Sequence, residues 1–347
     1  MMKVGMYYSN SDVRLEGLPV PRVGPGEILV RIRASGICGS DVMEWYRIKK
    51  APLVLGHEVT GDVAEIGEGV GRFHVGQRVF VTHHVPCNTC HYCLRGHTTA
   101  CDTLHTTKFH PGGFAEYVLV PSINVDRGVL VLPDDVSYED GSFVEPLGTV
   151  VRGQRNAGVG PGDCVLVLGC GIAGLLHIKL ARALGAGRII ATDLNAYRRQ
   201  AAQRFEADCV LDASDDVPAG VRAANDGRLA DRVILCAGAT SAVQQALDSV
   251  DRGGTVLFFA VPKPGEAVPI DFNLFWRNDI AFMPSYAADP LDNATALELI
   301  RSGRVVVNDM ITHRLSLDRI GEGFRLAAEG NECLKVIVEP SKTRDRR

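Results

Sequence analysis

Cys164-Val165-Leu166-Val167-Leu168-Gly169-Cys170-Gly171-Ile172-Ala173-Gly174 is the stretch of this 347-residue chain on which the fold turns. An apolar run of strand length leads into G-x-G-x-x-G, the pattern of a buried parallel strand turning into a helix. Glycine at 169 serves the tight turn, glycine at 171 lets backbone approach a pyrophosphate, and glycine at 174 lets helix and strand pack closely. The helix that opens there offers free N–H groups and a positive dipole end to phosphates. Asp193 lies nineteen residues past Gly174, at the end of the next apolar run, where a carboxylate would bind a ribose diol. The bland alternative is an ordinary strand-helix turn beside a surface aspartate. Gly169, Gly171, Ile172, Gly174 and Asp193 are therefore candidate cofactor-binding residues. The charge of Asp193 would repel the 2′-phosphate of NADP, which favours NAD. Arg198 and Arg199 are either exposed helix residues or partners for such a phosphate, so Arg198 joins the candidates.

Outward from this motif, strand-length apolar runs at 164–168, 188–192, 209–211, 232–236 and 255–260 alternate with helical stretches at 173–184, 196–206 and 241–250. This is the rhythm of a doubly wound parallel α/β domain, assigned to residues 149–286. Before it, residues 1–148 read as short strands broken by glycine and proline, at 27–37, 59–66, 78–82 and 114–120, an all-β unit. After it, residues 287–347 hold an amphipathic helix at 293–302 and an apolar strand at 334–338. They are too few for a domain of their own and should return to the N-terminal β unit. The charged tail, 341–347, reads as a solvated, disordered end.

Lys plus Arg number 37 against 41 Asp plus Glu, a net charge of −4, so no basic field exists to hold nucleic acid or an anionic membrane. No apolar run approaches the ~18–20 residues of a membrane span, and the N-terminus lacks the apolar core of a secretory signal. The expectation is a soluble, cytoplasmic protein with a small substrate.

In a reducing compartment, ten cysteines point to metal rather than disulfides. Cys87, Cys90, Cys93 and Cys101 fall within fifteen residues of a polar loop, a spacing that can close a tetrahedron of thiolates around zinc with no position left for substrate. An iron–sulfur centre or free thiols are the alternatives. His91 and His97, in the same loop, read as solvated. A second set is dispersed: Cys38 in Gly36-Ile37-Cys38-Gly39-Ser40-Asp41, His57 and Glu58 in Gly56-His57-Glu58, and Glu145 in Val144-Glu145-Pro146. A thiolate, an imidazole and a carboxylate would form a three-ligand zinc site with an open fourth position, if the chain brings them together. Singly, each reads as a buried thiol, a core histidine or an ion-paired carboxylate.

Together these motifs resemble the zinc-dependent medium-chain dehydrogenase/reductase superfamily, and Val144-Glu145-Pro146 resembles its sorbitol (polyol) dehydrogenase branch, over nearly the whole chain from Glu27 to Val338. The resemblance implies a GroES-like catalytic domain interrupted by a Rossmann domain, with the active site in the cleft between them. It implies two zinc ions per chain and NAD, and a homodimer or homotetramer. It also implies roles: Cys38 and His57 as ligands of the catalytic zinc, Glu58 and Glu145 as carboxylates binding it directly or through its water, and Ser40 as the hydroxyl that passes on the substrate proton. Two departures stand out. Met43 occupies the place where many relatives carry a relay histidine, so that the relay passes either by water and the ribose hydroxyls or by a substitute such as His83 or His84, and Pro284-Ser285-Tyr286-Ala287 lacks the Arg-Tyr pair common in polyol enzymes. The expected activity is hydride transfer between NAD(H) and a secondary alcohol or ketone of a polyhydroxylated substrate, a polyol, sugar or (amino)cyclitol. A threonine-dehydrogenase-like enzyme and a catalytically silent NAD- and zinc-binding protein are the alternatives.

Overall fold

Every position of the strand Cys164–Leu168 is buried, as a strand covered on both faces must be. In the computed structural model, which describes residues 1–340, this strand lies inside a six-stranded sheet. The tail at 341–347, read above as a solvated end, lies outside the described residues. The chain divides into two compact units, Met1–Gly148 with Ala287–Arg347, and Thr149–Tyr286.

In the second unit the strands run, edge to edge, Cys209–Asp212, Arg188–Asp193, Cys164–Leu168, Ala230–Leu235, Val250–Phe258 and Ala281–Pro284, all parallel. In chain order within the unit this is 3-2-1-4-5-6, the dinucleotide-binding order, and the direction of winding reverses beside Cys164–Leu168. Helices Ile172–Ala183, Ala196–Arg204 and Thr240–Ser249 fall within a residue or two of the expected stretches. A further helix, Val217–Ala224, escaped the sequence reading. Its signals were an Asp216 side chain that caps it, a proline in the first turn, and Val217 and Val221 buried four residues apart. The fifth strand begins at Val250 rather than 255, because an irregularity between Ala230 and Arg232 lets two separate stretches of it pair with one neighbour.

Within this unit His177 is fully buried on the helix that follows the glycine motif. Gln154 Nε2 donates to the His177 carbonyl at 2.7 Å and approaches its Nδ1 at 3.2 Å, while the Phe259 ring meets the imidazole edge-on at 4.6 Å. Burial lowers the His177 pKa to about 3. An unfolded histidine titrates near 6.5, so on acidification the unfolded chain takes up the proton first. The stability held by neutral His177 is complete above that value and drains away as pH falls toward 3. Between pH 7 and pH 5 the loss should be about 2 kcal/mol. Urea unfolding of His177→Leu should show a weaker pH dependence by about that amount, and an unchanged dependence would mean that the imidazole charges in place.

In the first unit, strands that are buried along most of their length build a mixed sheet. Its order is Ile311–Ser316, Lys335–Glu339, Ile28–Gly36, Glu58–Ile66, Arg78–Val81 and Val129–Val131, with Tyr117–Val120 pairing on Ile28–Gly36. A hairpin of Met2–Ser9 and Asp12–Leu18, not anticipated from sequence, forms a smaller sheet with Leu53–Val54. The strand expected at 114–120 is shorter, Tyr117–Val120, since Ala115 makes only an isolated bridge to Val4. The C-terminal segment does return: Lys335–Glu339 runs antiparallel beside Ile28–Gly36. The helix Ile320–Glu329 sets Phe324 against Tyr7 and Phe114 in the core.

Candidate active site and metal centres

In the cysteine loop, Asn88 takes a left-handed conformation with φ 62° between Cys87 and Cys90. Cys87, Cys90, Cys93 and Cys101 present sulfurs that all lie within 4.8 Å of one another. The Cys90 and Cys93 sulfurs are 3.5 Å apart and those of Cys87 and Cys93 3.9 Å. A tetrahedron with ~2.3 Å zinc–sulfur bonds has edges of ~3.8 Å, so the cluster fits zinc as it stands. Backbone N–H groups of Cys90 and Cys101's partner Cys87 point at sulfur, at 3.2 and 3.3 Å. N–H and hydroxyl donors from Thr89, with the Cys90 amide, lower the Cys87 thiol to about 5, whereas burial and the neighbouring thiols push Cys93 up to about 12. Only a bound cation would hold all four as thiolates. His91 and His97 are exposed and outside the set. The Thr98 hydroxyl ties this loop to the C-terminal segment through Asp289, at 2.9 Å.

The dispersed set converges in part. Gly36 is in register with Glu58 across two antiparallel strands. Cys38, just beyond the end of one strand, therefore meets His57 and Glu58 at the start of the other, and their donor atoms lie within 4.8 Å of one another. Glu58 Oε1 is buried without a hydrogen-bond partner, as an oxygen reserved for a cation would be. Asp41, fully buried, stands 3.3 Å from His57 Nδ1 and accepts from the Cys38 N–H at 3.1 Å. Burial by itself would lower the His57 pKa, but Asp41 and Cys38 outweigh it and hold it well above the ordinary value. The negative charge around this ring would stabilise a cation bound at its other nitrogen, where the ligand itself is the neutral imidazole. Burial would raise Asp41, yet His57, Arg47 and the Cys38 N–H keep it low.

Glu145 sits in the first turn of the helix Val144–Ala157 and is buried. It does not join the 4.8 Å set. Burial first, and then Glu58 and Asp41, raise its pKa to about 7 against the opposing pull of His57 and Lys335. The Ser40 hydroxyl accepts from the Arg47 guanidinium at 3.2 Å. His83 lies between His57 and His84, its ring tilted to both, with ring centroids 4.9 and 3.6 Å away. Burial keeps both His83 and His84 neutral, lowering His84 to about 3. The sequence reading missed Asp41, Arg47 and Lys335 as parts of this site. Asp41 was visible in the quoted motif, and Lys335 as a lone lysine inside an apolar strand.

In the second unit Gly169 has φ +95°, which a side chain would strain. A Cβ at Gly171 would meet nothing within 4 Å, and one at Gly174 would lie 1.9 Å from the Gly169 carbonyl. The Asp193 carboxylate accepts from the Cys170 N–H at 2.7 Å and the Asn195 N–H at 2.8 Å. Each oxygen keeps capacity for a ribose hydroxyl. Arg199 is committed to the Asp193 and Leu194 carbonyls and to Asp212. Arg198 Nε is buried with no hydrogen-bond partner.

The chain matches the alcohol dehydrogenase GroES-like domain over residues 24–134 and the zinc-binding dehydrogenase domain over residues 173–302. It is 30% identical to the sorbitol dehydrogenase of Bacillus subtilis, across 98% of both chains. It is 32% identical to an L-threonine 3-dehydrogenase of Rhizobium etli, across 98% of this chain and 99% of that one. A zinc-binding dehydrogenase from Sinorhizobium meliloti, solved with NADP, superposes with a TM-score of 0.87 at 30% identity, over 98% of this chain and 99% of the other.

Proposed function

Because the chain belongs to the zinc-dependent medium-chain dehydrogenase family, we propose that it transfers hydride between NAD(H) and a secondary alcohol or ketone of a polyol, sugar or (amino)cyclitol. It is an oxidoreductase acting on CH–OH donors, and small alcohols are its class of substrate. The observation that carries the proposal is the meeting of Cys38, His57 and Glu58 within 4.8 Å, with one Glu58 oxygen unpartnered and the Ser40 hydroxyl two residues from Cys38.

Polarisation of the substrate oxygen and acceptance of hydride are what bound zinc and nicotinamide supply. The chain's own residues do the rest. Cys38 and His57, with a carboxylate from Glu58 or Glu145, hold the ion; Asp41 takes His57 Nδ1, which leaves Nε2 as the donor. The Ser40 Oγ, steadied by Arg47, takes the hydroxyl proton during oxidation and returns it during reduction. From Ser40 the proton leaves by water or by the His83–His84 pair, since Met43 cannot carry it. Cys87, Cys90, Cys93 and Cys101 hold a second zinc with a structural role. The Gly169, Gly171, Ile172 and Gly174 turn receives the pyrophosphate, and Asp193 the ribose. A threonine-dehydrogenase-like reading uses the same residues and differs in substrate; it is favoured by the 32% identity to such an enzyme. A silent binding protein would be expected to have lost donors that are all present here.

The test is turnover of zinc-loaded protein with NAD on a panel of polyols, inositols, aminocyclitols and threonine. Threonine as best substrate would move the assignment to the alternative, and no turnover of any secondary alcohol would defeat it. NAD should exceed NADP by at least about tenfold in kcat/KM, about 1.4 kcal/mol, through the charge of Asp193. Asp193→Ser should narrow that ratio. Equal use of NADP by the wild-type protein would mean that Arg198, the uncommitted guanidinium nearby, holds the phosphate.

A cytoplasmic location suits ten cysteines with no disulfide among them. No helix among the described residues is long and apolar enough to cross a membrane. Assembly as a homodimer or homotetramer is supported by the edge strand Ala281–Pro284 and by Phe272 and Trp276, which are 71% and 83% exposed; light scattering reports it directly.

A further inference from the structure

His83 borders the converging donors Cys38, His57 and Glu58 without being one of them. Its ring centre lies 4.9 Å from that of His57, 3.6 Å from that of His84 and 6.0 Å from that of Phe109, so three neighbouring rings confine it. The backbone beneath is held as well. The buried Asn124 amide donates to the Thr82 carbonyl at 2.9 Å and to the His83 carbonyl at 3.0 Å, and the Thr82 N–H donates to the Gly128 carbonyl at 3.0 Å. The two ring nitrogens are in unlike places. Nδ1 is sealed from solvent with no hydrogen-bond partner among the described residues, and Nε2 is not sealed. Of the two ways to leave a buried nitrogen unpartnered, an orphaned N–H is the rarer, so the one proton of a neutral imidazole belongs on Nε2. The ring then presents an N–H beside His57. Passing a proton through an imidazole means taking it in at one nitrogen and releasing it at the other, and Nδ1 has nothing to release it to. His83 is placed to donate a hydrogen bond rather than to relay a proton.

We propose that His83 sets substrate specificity: its Nε2–H donates to a second substrate oxygen, on the carbon next to the one that is oxidised, so that vicinal diols and the matching α-hydroxyketones are taken in preference to simple secondary alcohols. This rests on the zinc-dehydrogenase reading above and narrows its substrate class. A substrate without the second oxygen leaves the N–H unpaired once water is displaced, which costs affinity. An amino group in that place fares no better. An ammonium carries only donors, so a 1,2-amino alcohol such as threonine meets the His83 N–H donor to donor, and a polyol or sugar does not.

The test uses zinc-loaded full-length protein and three probes that differ only in the group beside the carbinol: 2-butanol, 2,3-butanediol and 3-amino-2-butanol. Wild type should favour the diol over each of the others by about tenfold in kcat/KM. His83→Phe keeps a ring and loses the N–H. It should bring that preference below about threefold, chiefly by raising KM for the diol, because the contact is made away from the reacting carbon, and should change 2-butanol by less than about twofold. His83→Gln, whose amide can donate instead, should keep the preference within about threefold of wild type. Affinity of each probe for the enzyme–NADH complex, followed by cofactor fluorescence, should move in the same order with no turnover involved, and it decides where turnover is slow. Zinc content should be unchanged throughout. An equal fall for all three probes in His83→Phe would make the ring a mere support of His57 and overturn the proposal. An undiminished diol preference in that variant, or a wild type that favours 3-amino-2-butanol, would do the same. Should His83→Phe fail to fold, His83→Ala removes the donor without added bulk and is read in the same way. Zinc-loaded wild type that neither oxidises nor binds any secondary alcohol would defeat the dehydrogenase reading instead.

Discussion

Serine in place of Cys38 is expected to lower zinc content from two ions per chain to one and kcat/KM by about a thousandfold, about 4 kcal/mol. Among the described residues, Cys38 is one of three whose donor atoms meet in the dispersed site, and a serine hydroxyl is a far poorer zinc donor than a thiolate. The fold should survive. The turn around residue 38 is held by the backbone, through the Cys38 N–H on Asp41 and the Ile37 N–H on the Val336 carbonyl, and neither bond needs the sulfur. NAD binding should also persist, because the glycine turn and Asp193 belong to the other compact unit. Elemental analysis, steady-state kinetics and NAD titration on one preparation check all three parts. Full turnover with two zinc ions in Cys38→Ser would remove Cys38 from the metal site.

The second large effect falls on stability. Cys93→Ser is expected to lose the other zinc and to lower apparent Tm by more than about 10 °C, equivalent to several kcal/mol for a unit of this size. Binding free energy at a closed site is folding free energy, since the unfolded loop has no preformed tetrahedron. Burial and its neighbours push the Cys93 thiol up to about 12, so without a cation it keeps its proton and the loop loses its central tie. The damage should spread along one identifiable route. Thr98 donates to Asp289, and Asp289 is the capping-box residue of the helix Pro290–Arg301, so hydrogen exchange should rise at that helix start while the parallel sheet stays protected. A variant with unchanged stability and two zinc ions would show that the four sulfurs do not form a metal site.

These two sites were legible in the sequence to different degrees. The closed cluster lies within fifteen residues, so the loop conformation is all that separates the spacing from the tetrahedron. The glycine turn is equally local, and the strands around it were readable because burial on both faces leaves continuous apolar runs. The helix Val217–Ala224 was missed because its pattern is two valines long. The C-terminal return was foreseen from a shortage of residues, but not which strand would be joined.

Elements whose physics is local could be read from the residues alone: the strand, turn and helix of Cys164–Gly174, the charge of Asp193 at the end of the next strand, and the sulfur spacing of Cys87–Cys101. The tertiary structure alone decided that Cys38 meets His57 and Glu58, that Asp41 backs His57, that Glu145 remains outside the 4.8 Å set, and that Lys335, 277 positions from Glu58, is its ion-pair partner. The reason is register. Pairing of Gly36 with Glu58 and of Ile337 with Gly36 places these side chains, and a shift of one residue in either ladder would turn them to the opposite face of the sheet. Register is set by the packing of the whole β unit, which no short window of sequence contains.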